Sequence, residues 1–86
     1  LPGGMVPETV QVELRGPLAR YAGRAHPDGR IALPVGKGVR VEDVLLALAI
    51  PPAQTGLLVV NGKKICRKEI IQPGDVLVVF PPVAGG

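Results

Sequence analysis

Gly74-Asp75-Val76-Leu77-Val78-Val79-Phe80-Pro81-Pro82-Val83-Ala84-Gly85-Gly86 closes the chain and decides how the rest is to be read. Val76 to Phe80 is an apolar run too short for a helix and bounded by turn residues, which predicts a strand covered on both faces. Pro81-Pro82 ends its ladder, because proline has no N–H to give, and favours an extended strut. Gly85 and Gly86 lack a Cβ, so the end is thin enough to enter a narrow opening. From Pro81 to Gly86, at roughly 3.3 Å per residue, the tail reaches about 20 Å, the depth of a cleft in another protein. The terminal carboxylate itself is therefore the candidate working group.

Upstream, Gln72-Pro73-Gly74-Asp75 reads as a turn in which proline presets one φ and glycine supplies a positive one. Asn61-Gly62 is the strongest hairpin signal in the chain. It joins a short buried strand, Leu57-Leu58-Val59-Val60, to a return over Lys63 to Cys66, and Glu69 to Gln72 links onward. Val41, Val44, Leu45 and Leu48 fall at i, i+3, i+4 and i+7, which predicts an amphipathic helix of about nine or ten residues. Glu42 and Asp43 favour its first turn electrostatically, Arg40 is a poor N-cap, and Pro51-Pro52 stops it.

Near the start, Val10, Val12 and Leu14 alternate with Gln11, Glu13 and Arg15, the period of a strand with one wet face. Pro17 suits the first position of a short helix closed by Gly23, with Leu18, Tyr21 and Ala22 as its apolar side. Pro27-Asp28-Gly29 turns the chain, and Ile31, Leu33 and Val35 resume alternation as a second strand beside the first. Gly36-Lys37-Gly38 opens like a phosphate loop, but no Gly-Lys-Ser/Thr follows, so it is read as a plain loop. Residues 1–4, Leu1-Pro2-Gly3-Gly4, fit no element and are expected to be a cloning remnant or flexible arm before Met5. Residues 5–80 form the folded domain and 81–86 the flexible reactive tail. One helix on a small mixed sheet is an α+β arrangement, with the last strand inside the sheet and parallel to the first.

Bulk properties narrow the function. At 86 residues the chain is one domain, and its 47% hydrophobic content is mostly aliphatic. One cysteine precludes an internal disulfide, and one histidine beside it makes no metal site. A net charge of +3 with 2% aromatics gives little for bases to stack on, so nucleic acid is a poor partner. Neither a spanning segment nor a signal peptide is legible, which favours the cytoplasm.

The element order, with Asn61-Gly62, Pro73-Gly74-Asp75 and the end Phe80-Pro81-Pro82-Val83-Ala84-Gly85-Gly86, resembles the ubiquitin-like sulfur-carrier family. Its best-known members are MoaD, the small subunit of molybdopterin synthase, and ThiS, the thiamine-pathway carrier. The resemblance runs from about Thr9 to Gly86 and implies a β-grasp fold. It also implies that an enzyme of the ubiquitin-activating (E1-like, MoeB/ThiF-like) class uses ATP to adenylate Gly86. A persulfide then makes a thiocarboxylate, and the sulfur is delivered inside a partner such as the large subunit of molybdopterin synthase. On this resemblance the chain is a carrier and not an enzyme. It binds no cofactor, and Pro81, Pro82, Val83, Ala84 and Gly85 thread the partner's channel.

The proline pair and the valine point to the molybdopterin branch. That branch carries apolar residues on the sheet face at the positions of Arg15 and Lys64, where they meet the partner subunit. Here only Phe80 keeps the apolar character, and Phe80 is open to two readings, core or contact. Carriers for thiamine, tRNA thiolation or other sulfur metabolites, ubiquitin-like modifiers and non-reactive β-grasp modules remain as alternatives. Lys63, Lys64, Arg67 and Lys68 read as a solvated edge or a dock for an acidic surface. Cys66 reads as a small buried or edge residue, and His26 as a loop residue.

Overall fold

The computed structural model describes residues 8–83. The remnant or arm expected at Leu1 to Gly4, the start at Met5, and Ala84, Gly85 and Gly86 of the expected tail all lie outside the described residues. Five strands form one mixed sheet in the order β2-β1-β5-β3-β4: β1 Thr9–Leu14, β2 Arg30–Pro34, β3 Leu58–Val60, β4 Lys63–Lys64 and β5 Val76–Val79. A helix, α1 Val41–Ala47, packs its buried residues into the same core as the sheet, and 3-10 turns occupy Gly16–Ala22 and Pro52–Gln54.

β1 and β2 pair antiparallel, while β1 and β5 pair parallel with Val12 opposite Leu77 and Leu14 opposite Val79. The last strand therefore lies inside the sheet, parallel to the first, as its sequence predicts. Period two in β1 sends Val10, Val12 and Leu14 to the core, where they meet Leu77 and Val79 of β5, Leu58 of β3, and Val41, Val44 and Leu45 of α1. The 3-10 turn Gly16–Ala22 adds Leu18 and Ala22 to this core, and Gly23 at φ 93° closes it. No described residue contributes a buried polar side chain, so the core is held by aliphatic burial alone.

Two turns are tied to each other. Asn61 and Gly62 both take positive φ, 51° and 84°, the twist of a two-residue hairpin between β3 and β4. Gly74, at φ 91°, turns the chain into β5, and the Asp75 N–H donates to the Gln72 carbonyl at 3.0 Å. Asn61 Nδ2 donates to Asp75 Oδ1 at 2.9 Å, and the Val76 N–H donates to Asn61 Oδ1 at 2.9 Å. The second Asp75 oxygen accepts from the Gln72 N–H at 2.8 Å. These bonds fix where β5 starts against β3.

Three expectations are corrected. β5 is not covered on both faces: Leu77 and Val79 are fully buried, but Val76 and Val78 are half-buried on the face away from α1. Among the described residues no element packs over that side, and neighbouring side chains shelter it. The strand expected over Leu57 to Val60 begins at Leu58, and the return over Lys63 to Cys66 keeps only Lys63–Lys64 as strand. Cys66 is exposed just beyond the edge strand β4, the edge alternative of its two readings. The helix is seven residues, not nine or ten.

The short helix has a physical cause at each end. At its start the Arg40 N–H is accepted by Asp43 Oδ2 at 2.9 Å, half of a reciprocal capping arrangement, since an arginine side chain has no acceptor to offer in return. The free Val41 and Glu42 N–H groups donate to the Glu69 and Arg67 carbonyls at 2.9 and 2.8 Å, so a distant loop completes the cap. At its end the Ala49 N–H donates to the Leu46 carbonyl and the Ile50 N–H to the Leu45 carbonyl, with Ala49 at φ 60°. This is the Schellman pattern, and it stops the helix before Pro51 is reached.

Candidate functional site

The C-terminal tail leaves the sheet from the end of its most enclosed strand. β5 is flanked by β1 and β3, and the ladder runs on past Val79. The Arg15 N–H donates to the Val79 carbonyl at 3.0 Å and the Phe80 N–H to the Leu57 carbonyl at 3.0 Å. The Gly56 N–H then donates to the Phe80 carbonyl at 2.7 Å. Pro81 and Pro82 have no N–H to extend the pattern, so pairing stops there by chemistry. Pro81 is half-buried, Pro82 is exposed, and Val83 is 89% exposed.

The register places a face beside this exit. Glu13 lies opposite Val78, Val78 opposite Val59, and Val59 opposite Lys64, one row across four strands. One step along, Arg15, Phe80 and Leu57 form the next row, and the Arg15 guanidinium stands 5.9 Å from the Phe80 ring centroid. Arg15 also pairs with Glu13 at 3.2 Å. Phe80 is half-buried and outside the core, which resolves its two readings towards the outer face. At roughly 4.8 Å per strand, Lys64 lies about 14 Å from Glu13, so Arg15 and Lys64 are on one face but do not meet.

Sequence reasoning missed most of this face. Of the three contact positions named from the family resemblance only Phe80 is apolar, yet Val76, Val78, Val59 and Leu57 lie on the same face, with Leu57 42% exposed. The signal was available: a two-residue Asn61-Gly62 turn pairs Val60 with Lys63, hence Val59 with Lys64, and so puts Val59 on the wet side with Lys64. The basic residues Lys63, Lys64, Arg67 and Lys68 are all exposed along and just beyond β4, one of the two edge strands. His26 sits in the turn before β2. Among the described residues no group of three or more His, Cys, Asp or Glu side chains is placed to hold a metal ion. No helix among them is long and apolar enough to cross a membrane.

A β-grasp body whose last interior strand runs directly into an exposed proline-led tail defines a ubiquitin-like carrier or modifier. The sequence model of the ThiS family matches residues 12–86, and the chain belongs to that family. The family is one of small carrier proteins.

Solved structures agree. SAMP1 from Haloferax volcanii superposes with a TM-score of 0.69 at 27% identity, covering 91% of this chain and 99% of its own. A Pyrococcus furiosus protein assigned as molybdopterin converting factor, subunit 1, gives a TM-score of 0.64 at 23% identity, with 87% and 98% covered. Urm1 from Trypanosoma brucei gives 0.64 at 12% identity, with 93% and 97% covered, a likeness of fold. No curated protein sequence matches the chain.

Proposed function

We propose that this protein is a sulfur carrier whose Gly86 carboxylate is adenylated and then converted to a thiocarboxylate. The observation that carries the proposal is the continuous path from β5 through the Phe80 clamp to an exposed Val83, three residues before the terminal glycine. An E1-like enzyme supplies ATP: the carboxylate oxygen attacks the α-phosphate, pyrophosphate leaves, and an acyl-adenylate forms. A persulfide sulfur then attacks the acyl carbon and AMP leaves. A thiol cleaves the acyl disulfide, carrying the oxidation away as a new disulfide and leaving the thiocarboxylate. Gly86 presents no side chain to obstruct either attack. The body acts as a remote handle that lends binding energy to positioning the end.

The outer face, with Phe80, Val78, Val59 and Leu57 between Arg15 and Lys64, is the surface for the activating enzyme and for the sulfur acceptor in turn. Apolar area beside separated charges suits transient docking to successive partners. The acceptor proposed is the large subunit of molybdopterin synthase, supported by the Pro81-Pro82-Val83 tail and the likeness to the Pyrococcus furiosus protein. A second reading, conjugation of Gly86 to lysines of other proteins, is favoured by the 27% identity to SAMP1, a small archaeal modifier protein. Both share the adenylation step.

Intact-mass measurement after incubation with an adenylating enzyme, ATP and a persulfide donor tests the proposal. The expected result is the mass gain of one oxygen-to-sulfur exchange at Gly86, lost on deletion of Gly86 or its conversion to the amide. Transfer of that sulfur to the synthase large subunit supports the molybdopterin assignment. Adducts on lysines in place of sulfur exchange favour the modifier, and a Gly86-deleted chain that still takes up sulfur refutes the carrier.

A further inference from the structure

We propose that Gly56 is a positioning residue that sets the direction in which the tail leaves the domain; this rests on the carrier function proposed above. Gly56 follows the 3-10 turn Pro52–Gln54, whose end is pinned by the Thr55 hydroxyl donating to the Pro52 carbonyl at 2.8 Å. Its N–H makes the last backbone bond to the departing strand, 2.7 Å to the Phe80 carbonyl. A Cβ on Gly56 would stand 2.5 Å from the Pro81 carbonyl oxygen, 2.8 Å from the Pro81 carbonyl carbon and 2.9 Å from the Pro82 Cα. All three are backbone atoms of the tail, so no rotamer change relieves the overlap, and the two backbones have to move apart.

The demand at Gly56 is for space and not for backbone angle. Its φ lies outside the left-handed region, unlike Gly62 and Gly74, so an alanine there meets no intrinsic strain. Across the tail, a Cβ on Gly16 would stand an ordinary 3.5 Å from Pro81 Cγ, so the close packing is on the Gly56 side. Pro81 and Pro82 have fixed φ and transmit the angle set at Gly56 outward instead of absorbing it. A deflection at Pro81 therefore redirects the tail as it leaves the domain, beyond the rows of the docking face. Body contacts govern KM, and the placement of the reacting end governs kcat.

The test is ATP–pyrophosphate exchange driven by the adenylating enzyme, with wild-type protein, Gly56→Ala and Gly56→Val. Gly36→Ala is the control, because Gly36 has no positive φ and a Cβ there meets nothing within 4 Å. The expected result is a fall in kcat of about ten-fold or more for Gly56→Ala and more for Gly56→Val, with KM for the carrier within about two-fold. In the same samples, the NMR contact between the α-protons of residues 56 and 82 and the protection of the residue 56 amide are lost. The core resonances of Val12, Leu77 and Val79 hold.

Should Gly56→Ala unfold, Thr55→Val, which releases the Pro52 carbonyl and loosens the turn that carries Gly56 while altering neither the tail nor the docking face, takes its place with the same expected split. Wild-type protein that drives no exchange sinks the carrier proposal and this inference with it. An active wild type matched in kcat by Gly56→Ala, or by Thr55→Val, overturns the positioning role alone.

Discussion

Asn61 carries more of the structure than a turn residue normally does. Its amide donates to Asp75 and accepts from the Val76 N–H, so one neutral side chain joins the β3–β4 hairpin to the turn that starts β5. An aspartate there keeps the acceptor and loses the donor, leaving two carboxylates in contact. Asn61→Asp is expected to lower stability by about 1–2 kcal/mol near neutral pH. The loss should shrink as salt is added, readable in urea melts. An equal loss at all salt concentrations would place the effect in the turn geometry instead. The sequence announced this turn, since Asn-Gly is the preferred pair for two positive φ values, but not the partner, because Asp75 lies 14 residues away.

At the scale of elements, α1 shows how tertiary contacts trim what periodicity predicts. Its stripe of Val41, Val44, Leu45 and Leu48 was legible, and its length was not. Ala49 takes a left-handed conformation that an L-alanine adopts at a penalty of about 1 kcal/mol or more. Ala49→Gly removes that penalty against a smaller gain in unfolded-chain freedom, and is expected to stabilise the protein by about 0.5–1 kcal/mol. A rise in melting temperature would check it, and a fall would show that the alanine methyl contributes packing. At the other end, Asp43→Ala removes the bond to the Arg40 N–H and is expected to destabilise by about 1 kcal/mol. The Glu69 and Arg67 carbonyls still satisfy the next two donors, so the helix should persist by circular dichroism.

For the molecule as a whole, the two faces of β5 divide stability from the proposed partner contact. Leu77 is fully buried, and Leu77→Ala is expected to cost about 3 kcal/mol, a large share of the ~5–15 kcal/mol that holds a small domain. Val78, its neighbour on the opposite side, is half-buried among Glu13, Val59 and Phe80. Val78→Asp is expected to leave the domain folded at a smaller loss, while weakening association with the adenylating enzyme several-fold by calorimetry. Unchanged binding would move the docking surface off this face, and global unfolding would show that the face is part of the core.

The sequence by itself determined the strands, the turns, the amphipathic helix and the order that makes a β-grasp. Each rests on local physics: alternation, proline's missing N–H, and glycine's positive φ at Gly62 and Gly74. Tertiary structure alone decided that β5 has one open face, that Phe80 belongs to it with Val78 and Leu57, and that a distant loop caps α1. It also decided that Gly56 stands against Pro81 and Pro82. These are matters of register and approach between segments 10 to 30 residues apart, and no local pattern encodes the distance between two backbones that meet only when the sheet closes.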